Sequence, residues 1–281
     1  MPELPEVQTV VSDLVDLVKG KKLNFIDILD AKVWFESELG PEQFAGKTIL
    51  DVTRRGKYIV YHFADGYLLQ HLRMTGVMLP GDSDKIPHNL FSEKSPQLRL
   101  SLNFDNLKLV FFDVRRFGTF TAILDLDKFF AGKKLAPELY DDFEQAFGWY
   151  LDKVAKVTRP IKSALLDQSI ICGPGNIYAD ESLHAVKIHP LTPAITLESE
   201  QNRMLIIEVK QIMDDAIAKR GTSASDYLDV NGNPGVFKQY LKVYKRKGEL
   251  CLSCELGKIE VIKIGGRTSH FCPHCQILPP N

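Results

Sequence analysis

Four of the five cysteines fall within the last 31 residues, as Cys251-x2-Cys254 and Cys272-x2-Cys275, and no other feature limits the fold as sharply. Seventeen residues, Ile259, Val261 and Ile264 among them, separate the two pairs. That spacing predicts a β-hairpin whose ends close on one tetrahedral Zn²⁺ through four thiolates. So short a tail builds no core of its own, so metal binding would supply most of its folding energy. Neither CxxC lies in a βαβ context, which argues against a redox pair, and the clustering argues against a secreted disulfide framework. His270 or His274 in place of one cysteine is the alternative ligand set. Cys172 stands apart as a small buried residue.

The hairpin also carries charge. Residues 237–281 hold eight Lys or Arg against three acids, a net +5, which leaves −6 for the rest of a chain whose total is −1. A basic tail on an acidic body fits a polyanion partner, although solvated lysines explain many such runs. At 281 residues, 44% hydrophobic and 25% charged, the chain reads as a globular protein of two domains. No run approaches the roughly 20 apolar residues that span a bilayer, and Glu3, Glu6, Asp13 and Asp16 argue against a signal peptide. A cytosolic protein is expected.

The chain begins Met1-Pro2-Glu3-Leu4-Pro5-Glu6. Removal of Met1 would free a secondary amine at Pro2, able to attack an electrophilic carbon and form an iminium. Val7, Val10, Val11, Leu14, Val15 and Val18 recur at spacings of three and four, so a helix with one apolar face starts near Pro5. Its positive end would disfavour the protonated amine, the Glu3 carboxylate would favour it, and Glu3 could move protons. By itself the segment also reads as an ordinary helix start, with Glu6 answering the dipole.

Strand-like runs follow at 48–52, 58–63, 108–113 and 117–124, and Leu98, Leu100, Leu102 and Phe104 alternate with polar residues as in a strand with one buried face. The first half is therefore expected to be an antiparallel sandwich or flattened barrel, with the first helix packed against it. Residues 80–96 read as a surface loop and 133–142 as a linker. Helical periodicity then covers 143–154, 161–168, 177–186 and 198–220, closed by Gly221. Asn176, after the turn Gly173-Pro174-Gly175, is placed at a helix N-cap, where free amides could hold a phosphate or simply turn a corner. Gly265-Gly266-Arg267 could bring Arg267 to a phosphate or be a plain hairpin turn. Arg beside large apolar residues in RRGKY, HLRMTG and DVRRFG suits wedging between base pairs, or an ordinary strand edge.

Together these segments resemble one family, the formamidopyrimidine-DNA glycosylases of bacteria. The likeness runs nearly end to end through MPELPEV, RRGKY, HLRMTG, DVRRFG, LLDQ to GNIYADE, IHP, residues 226–242 and the four cysteines. Leu4 favours this branch over the sister endonuclease VIII branch. The resemblance implies an α+β fold of two domains. An N-terminal antiparallel β-sandwich with a flanking helix (1–134) and a linker (135–142) precede a helix-two-turn-helix DNA-binding domain (143–240) and a four-cysteine zinc β-hairpin (241–281).

It also implies excision of oxidised purines, chiefly 8-oxoguanine and formamidopyrimidines, from duplex DNA, and then β,δ-elimination at the abasic site. Pro2 would attack C1′, Glu3 would transfer protons, Lys57 and Arg267 would assist elimination, and Glu6 would hold the site together. DNA contacts are implied for His71, Met74, Arg115, Phe117, Lys162, Asn176 and Tyr244, and a base-capping loop for Thr222, Ser223 and Tyr227. One structural zinc on Cys251, Cys254, Cys272 and Cys275 is implied, with no catalytic metal or organic cofactor. A monomer is expected, cytoplasmic and nucleoid-associated when bound to DNA. The chain departs from the family pattern at Lys94-Ser95, where Lys-His is common (His88 lies nearby), at Ala136-Pro137-Glu138, in GGRTSHF, and at Ala224-Ser225 in the capping loop, which leaves lesion preference open. The rival readings are an oxidised-pyrimidine glycosylase and a zinc-ribbon DNA-binding protein without catalysis.

Overall fold

A computed structural model describes residues 2–81, 97–223 and 227–278. Most of the expected 80–96 loop, with His88, Lys94 and Ser95, lies outside them, as do Ala224, Ser225 and Met1. The chain divides into two compact units, Met1–Lys133 with Ile217–Lys238, and Lys134–Ala216 with Gln239–Asn281.

The first unit opens with helix α1 (Leu4–Val18), started by Pro5 in its first turn. Strands β1 (Lys22–Ile28), β2 (Lys47–Thr48), β3 (Asp51–Arg55), β4 (Tyr58–Phe63), β5 (Gly66–His71), β6 (Gly76–Pro80), β7 (Leu98–Phe104), β8 (Leu107–Asp113) and β9 (Thr119–Ile123) follow, then helix α2 (Leu126–Lys133). The pairing is antiparallel, in two sheets ordered β2-β1-β7-β8-β6 and β3-β4-β5-β9. Leu23, Leu100, Leu102, Leu109 and Phe111 of one sheet and Val52, Ile59, Tyr61, Leu68 and Phe120 of the other share one core with Val7, Val10, Leu14 and Val18 of α1. The sandwich with a flanking helix is therefore present.

Three details differ from the sequence reading. The run at 48–52 is two strands in different sheets, because the chain leaves β2 at Ile49 and Leu50 before entering β3. Strand β7 is buried on both faces. Arg99 lies against its outer side with Nε and Nη2 donating to the Asp113 carbonyl at 3.0 and 2.8 Å and an ion pair to Asp30. Helix α2 has no counterpart in the sequence pattern; its Phe129 and Phe130 cover Val60, Leu69 and Ile123, the outer face of the second sheet.

The second unit holds α3 (Phe143–Val154), α4 (Ile161–Leu165), α5 (Asn176–Ala185) and α6 (Ser199–Ala218), followed by the hairpin β10 (Glu260–Ile264) and β11 (Arg267–Phe271). Helix α4 is shorter than expected because Asp167 turns its carboxylate onto the amide and hydroxyl of Ser169, an alternative to continuing the helix. The hairpin is not a separate unit: it clusters with the helices. The boundary at 240 moves as well, since residues 217–238 fold with the sandwich. Arg220, in the left-handed region at φ 58°, reaches Asp13 of α1 and Asp229, and the Val230 amide donates to Asp13. No helix among the described residues is long and apolar enough to cross a membrane.

Candidate active site and nucleic-acid interface

Pro2, Glu3 and Glu6 are buried at the start of α1. Glu6 ties the N-terminus to the segment after α6. Its Oε2 accepts the Glu3 amide at 2.7 Å, its Oε1 accepts the Thr222 amide at 2.8 Å, and its carbonyl accepts the Tyr227 hydroxyl at 3.4 Å. Burial and the nearby Glu6 hold the Tyr227 phenol well above its usual range, so it stays a donor. Gly221 sits at φ 81°, and a Cβ there would lie 3.0 Å from Glu6 Cγ, so this backbone suits glycine alone. Ser223 closes the segment on itself, its hydroxyl donating to the Tyr227 carbonyl at 2.6 Å.

Gly56 and Lys57 form the two-residue turn between β3 and β4, with Gly56 at φ 60°. Lys57 is unusually buried for a turn lysine, 8% exposed. His71 ends β5 opposite Tyr58, whose ring it meets edge-on. Burial, then the charges of Arg73 and Lys57, push the His71 imidazole down to about 3. Its Nδ1 accepts the Arg73 amide at 3.0 Å, which leaves Nε2 as the protonated nitrogen of a neutral ring.

The loops carrying Met74 and Arg115–Phe117 are joined by Asp113, a residue that DVRRFG contains but that its sequence alone does not mark out. The Asp113 carboxylate accepts the Thr75 hydroxyl (2.5 Å) and the Arg115 amide (3.1 Å) on Oδ1, and the Phe117 (2.8 Å) and Gly118 (2.6 Å) amides on Oδ2. Beneath both loops lies the Phe111 ring, approached so closely by Gly76 and Gly118 that a Cβ would fall 2.8 and 2.5 Å from it. Above them Arg115 stacks over Phe117, 5.0 Å from the ring centroid, and Phe117 is 52% exposed. Phe117 is thus a large aromatic presented to solvent on a loop fastened by the Asp113 carboxylate.

In the second unit the expectations for two residues are corrected. Asn176 is the first residue of α5 rather than its N-cap, which is Gly175; its Nδ2 donates to the Thr268 carbonyl at 3.0 Å. Lys162 is wholly buried, with Nζ 2.5 Å from Asp180 Oδ1 and 3.1 Å from the same Thr268 carbonyl. A lysine so enclosed spends its charge inside the fold and is not placed to meet a phosphate. Both fix the strand that carries Arg267, which is exposed just after the Gly265-Gly266 turn. Asp180 also takes the His270 amide, and Glu181 accepts the amides of Lys242, Val243 and Tyr244 at 2.7–3.0 Å. Burial pushes the Glu181 carboxyl up despite these donors. Tyr244 packs its ring on His270, 4.8 Å between centroids. Arg267, Gly265 and Ile264 line an open cavity of 420 Å³ with Arg159, Ser163, Leu166 and Asp167. Asp180 and Glu181 sit in the GNIYADE segment, and their acidity next to a basic tail was the available signal for this docking.

The four hairpin cysteines meet the requirement for a metal. Their sulfurs lie within 4.8 Å of one another, with Cys251–Cys275 at 3.9 Å and Cys254–Cys272 at 3.7 Å. Sulfurs 2.3 Å from a tetrahedral ion would be about 3.8 Å apart. Amides of Gly257 and Leu256 lower the Cys254 thiol to about 6, whereas burial raises Cys272 and Cys275, whose thiolates therefore need the metal's own charge. Among the described residues, the apolar company in this cluster is Val243 and Ile259, too little to hold the module by itself.

A model of the formamidopyrimidine-DNA glycosylase N-terminal domain matches residues 1–120, and one of the H2TH domain of the same enzymes matches residues 135–227. Formamidopyrimidine-DNA glycosylase of Exiguobacterium is 37% identical over 286 residues, covering 98% of this chain and 99% of the relative. That of Legionella pneumophila (strain Philadelphia 1) is 40% identical over 280 residues, 98% of each. Among solved structures, a Lactococcus lactis mutant enzyme in complex with Fapy-dG containing DNA superposes with a TM-score of 0.89 at 34% identity, covering 98% of this chain and 100% of that one. The Lactococcus lactis enzyme with abasic-site DNA gives 0.86 at the same identity, covering 98% and 99%. The chain belongs to the formamidopyrimidine-DNA glycosylase family.

Proposed function

We propose that this chain is a bifunctional base-excision-repair enzyme that removes oxidised purines, 8-oxoguanine and formamidopyrimidines, from duplex DNA and then cleaves the strand at the abasic site. The observation that carries the reading is the Glu6 carboxylate, which fastens the start of the chain and the Thr222 amide at once. It holds Pro2 at the positive end of α1, where an amine is kept unprotonated and nucleophilic. With Met1 removed, the Pro2 nitrogen bonds to C1′ of the extruded nucleotide as the C1′–N bond breaks, and the base leaves with a proton. The C1′–O4′ bond then opens, O4′ takes up a proton, and the nitrogen lone pair forms an iminium with C1′ that acidifies C2′. A base removes that proton, the C3′–O bond breaks, and a second elimination releases the 5′ side. Glu3 is the proton carrier nearest the amine, and Lys57 assists elimination.

Phosphates are gripped by Lys57, His71, Asn176 and Arg267. Met74, Arg115 and Phe117 fill the space the base vacates, with Arg115 facing the orphaned cytosine. Thr222, Ser223 and Tyr227 belong to the segment that meets the extruded base, and Tyr244 supports the hairpin side of the DNA contact. The hairpin metal is one structural zinc on Cys251, Cys254, Cys272 and Cys275. It holds Arg267 in place and takes no part in bond making. The protein works as a monomer in the cytoplasm, on the nucleoid.

The substrate class is tested by incubating duplexes containing 8-oxoguanine opposite cytosine, or thymine glycol opposite adenine, under single-turnover conditions. Excision of 8-oxoguanine should be at least tenfold faster. Preference for thymine glycol would move the chain's specificity to oxidised pyrimidines, and binding without cutting either would leave only DNA recognition.

A further inference from the structure

Helix α5 turns one polar face to the cysteine module. Asn176, Asp180, Glu181 and His184 recur at spacings of four, one and three, which places them along one side of the helix. The first three hold backbone groups at Thr268, His270 and residues 242–244. The fourth reaches the cluster itself: His184 Nε2 lies 3.4 Å from Cys251 Sγ, with His184 4% exposed and Cys251 fully buried.

We propose that His184 is a positioning residue of the metal centre, its Nε2–H donating a hydrogen bond to the Cys251 thiolate. A thiolate bound to a metal can only accept, so the ring nitrogen facing it must carry the proton. Four thiolates around a divalent ion leave two net negative charges, and Cys251 and Cys272 are fully buried. Such charge is stable only where donors face it. The module supplies backbone donors, Ser253 to Cys251 at 3.4 Å and Gly257 to Cys254 at 3.5 Å. Among the described residues His184 is a donor from outside the module, carried by the helix that also carries Asn176. By drawing electron density from the Cys251 sulfur it makes that thiolate harder to protonate and displace, and so slows loss of the metal. Groups of this kind orient and tune metal ligands.

The test uses full-length protein loaded with zinc, and follows release of the ion to an excess of a chromogenic chelator. His184→Phe, which fills the space without a donor, should release zinc about 10–100-fold faster than wild type. His184→Gln, which retains an N–H, should stay near the wild-type rate. In the cobalt-loaded protein the thiolate-to-metal charge-transfer band should shift in His184→Phe and hold in His184→Gln. Release from His184→Phe at the wild-type rate, or from both variants equally fast, would overturn the proposal and leave a packing role. If His184→Phe does not fold, ¹⁵N NMR of the zinc-loaded wild type decides: a protonated Nε2 is expected, and an unprotonated one overturns the proposal. A protein that takes up neither zinc nor cobalt would overturn the metal reading itself, an outcome distinct from unaltered release.

Discussion

The phosphate contacts proposed for this chain divide into charged and uncharged ones. His71 is neutral at any physiological pH, because burial and the cations Arg73 and Lys57 push it down to about 3. It can offer a phosphate one N–H and no charge, whereas Lys57 and Arg267 in the proposed contacts would each displace a counterion. With an uncleavable abasic-site duplex and fluorescence anisotropy between about 50 and 200 mM salt, Lys57→Ala and Arg267→Ala should each flatten the slope of log affinity against log salt by about 0.9. His71→Ala should weaken binding and leave the slope unchanged. A His71→Ala slope as shallow as that of Arg267→Ala would show a charged imidazole. Residue identity alone could not separate these cases. Lys162 reads as one more phosphate ligand until Asp180, eighteen residues away, takes its ammonium. A buried ion pair depends on tertiary neighbours and leaves no local pattern.

At the scale of elements, the loops that carry Met74, Arg115 and Phe117 are shaped from below. Asp113 satisfies three loop amides and the Thr75 hydroxyl, and Gly76 and Gly118 let the backbone lie on Phe111. Gly118→Ala places a methyl 2.5 Å from that ring, which is itself buried and unable to give way. A loss of about 1–3 kcal/mol in urea unfolding is expected, the usual cost of forcing an extra methyl group into a packed core. An unchanged midpoint would mean that the loop is not seated on Phe111. The strands beneath were legible, since the alternation in 98–104 and the apolar runs at 58–63 and 108–113 carry the period of a sheet. Helix α2 was not: it is eight residues long, has no buried face of its own, and takes its shape from packing Phe129 and Phe130 on the sheet. The CxxC pairs and the Gly-Gly turn placed the hairpin correctly, because both are local chemistry. The recruitment of residues 217–238 to the sandwich rests on Asp13, more than two hundred residues earlier in the chain, and could not be read.

For the whole molecule, three histidines outside the metal centre contribute to the response to acid. Burial lowers His62, His71 and His189 below the ordinary imidazole value. Each binds its proton less readily when folded, so below about pH 6.5 the unfolded chain binds more protons at these sites than the native one. The stability they contribute is complete above that pH and is lost as pH falls through their lowered folded-state values, about 3 for His71. Urea midpoints measured with excess zinc should therefore be level from about pH 8 to 7 and decline below about 6.5; a midpoint that rises on acidification would contradict this sign. Pro2 falls in one unit and Arg267 in the other, so the proposed reaction would draw on both. Borohydride reduces an iminium to a stable amine, so the chain, freed of Met1 and loaded with zinc, should be mixed with an 8-oxoguanine:cytosine duplex in its presence. A covalent protein–DNA adduct attached at residue 2, and lost in Pro2→Gly, is the expected result. An adduct mapped to a lysine, or one that survives Pro2→Gly, would contradict the N-terminal proline as nucleophile.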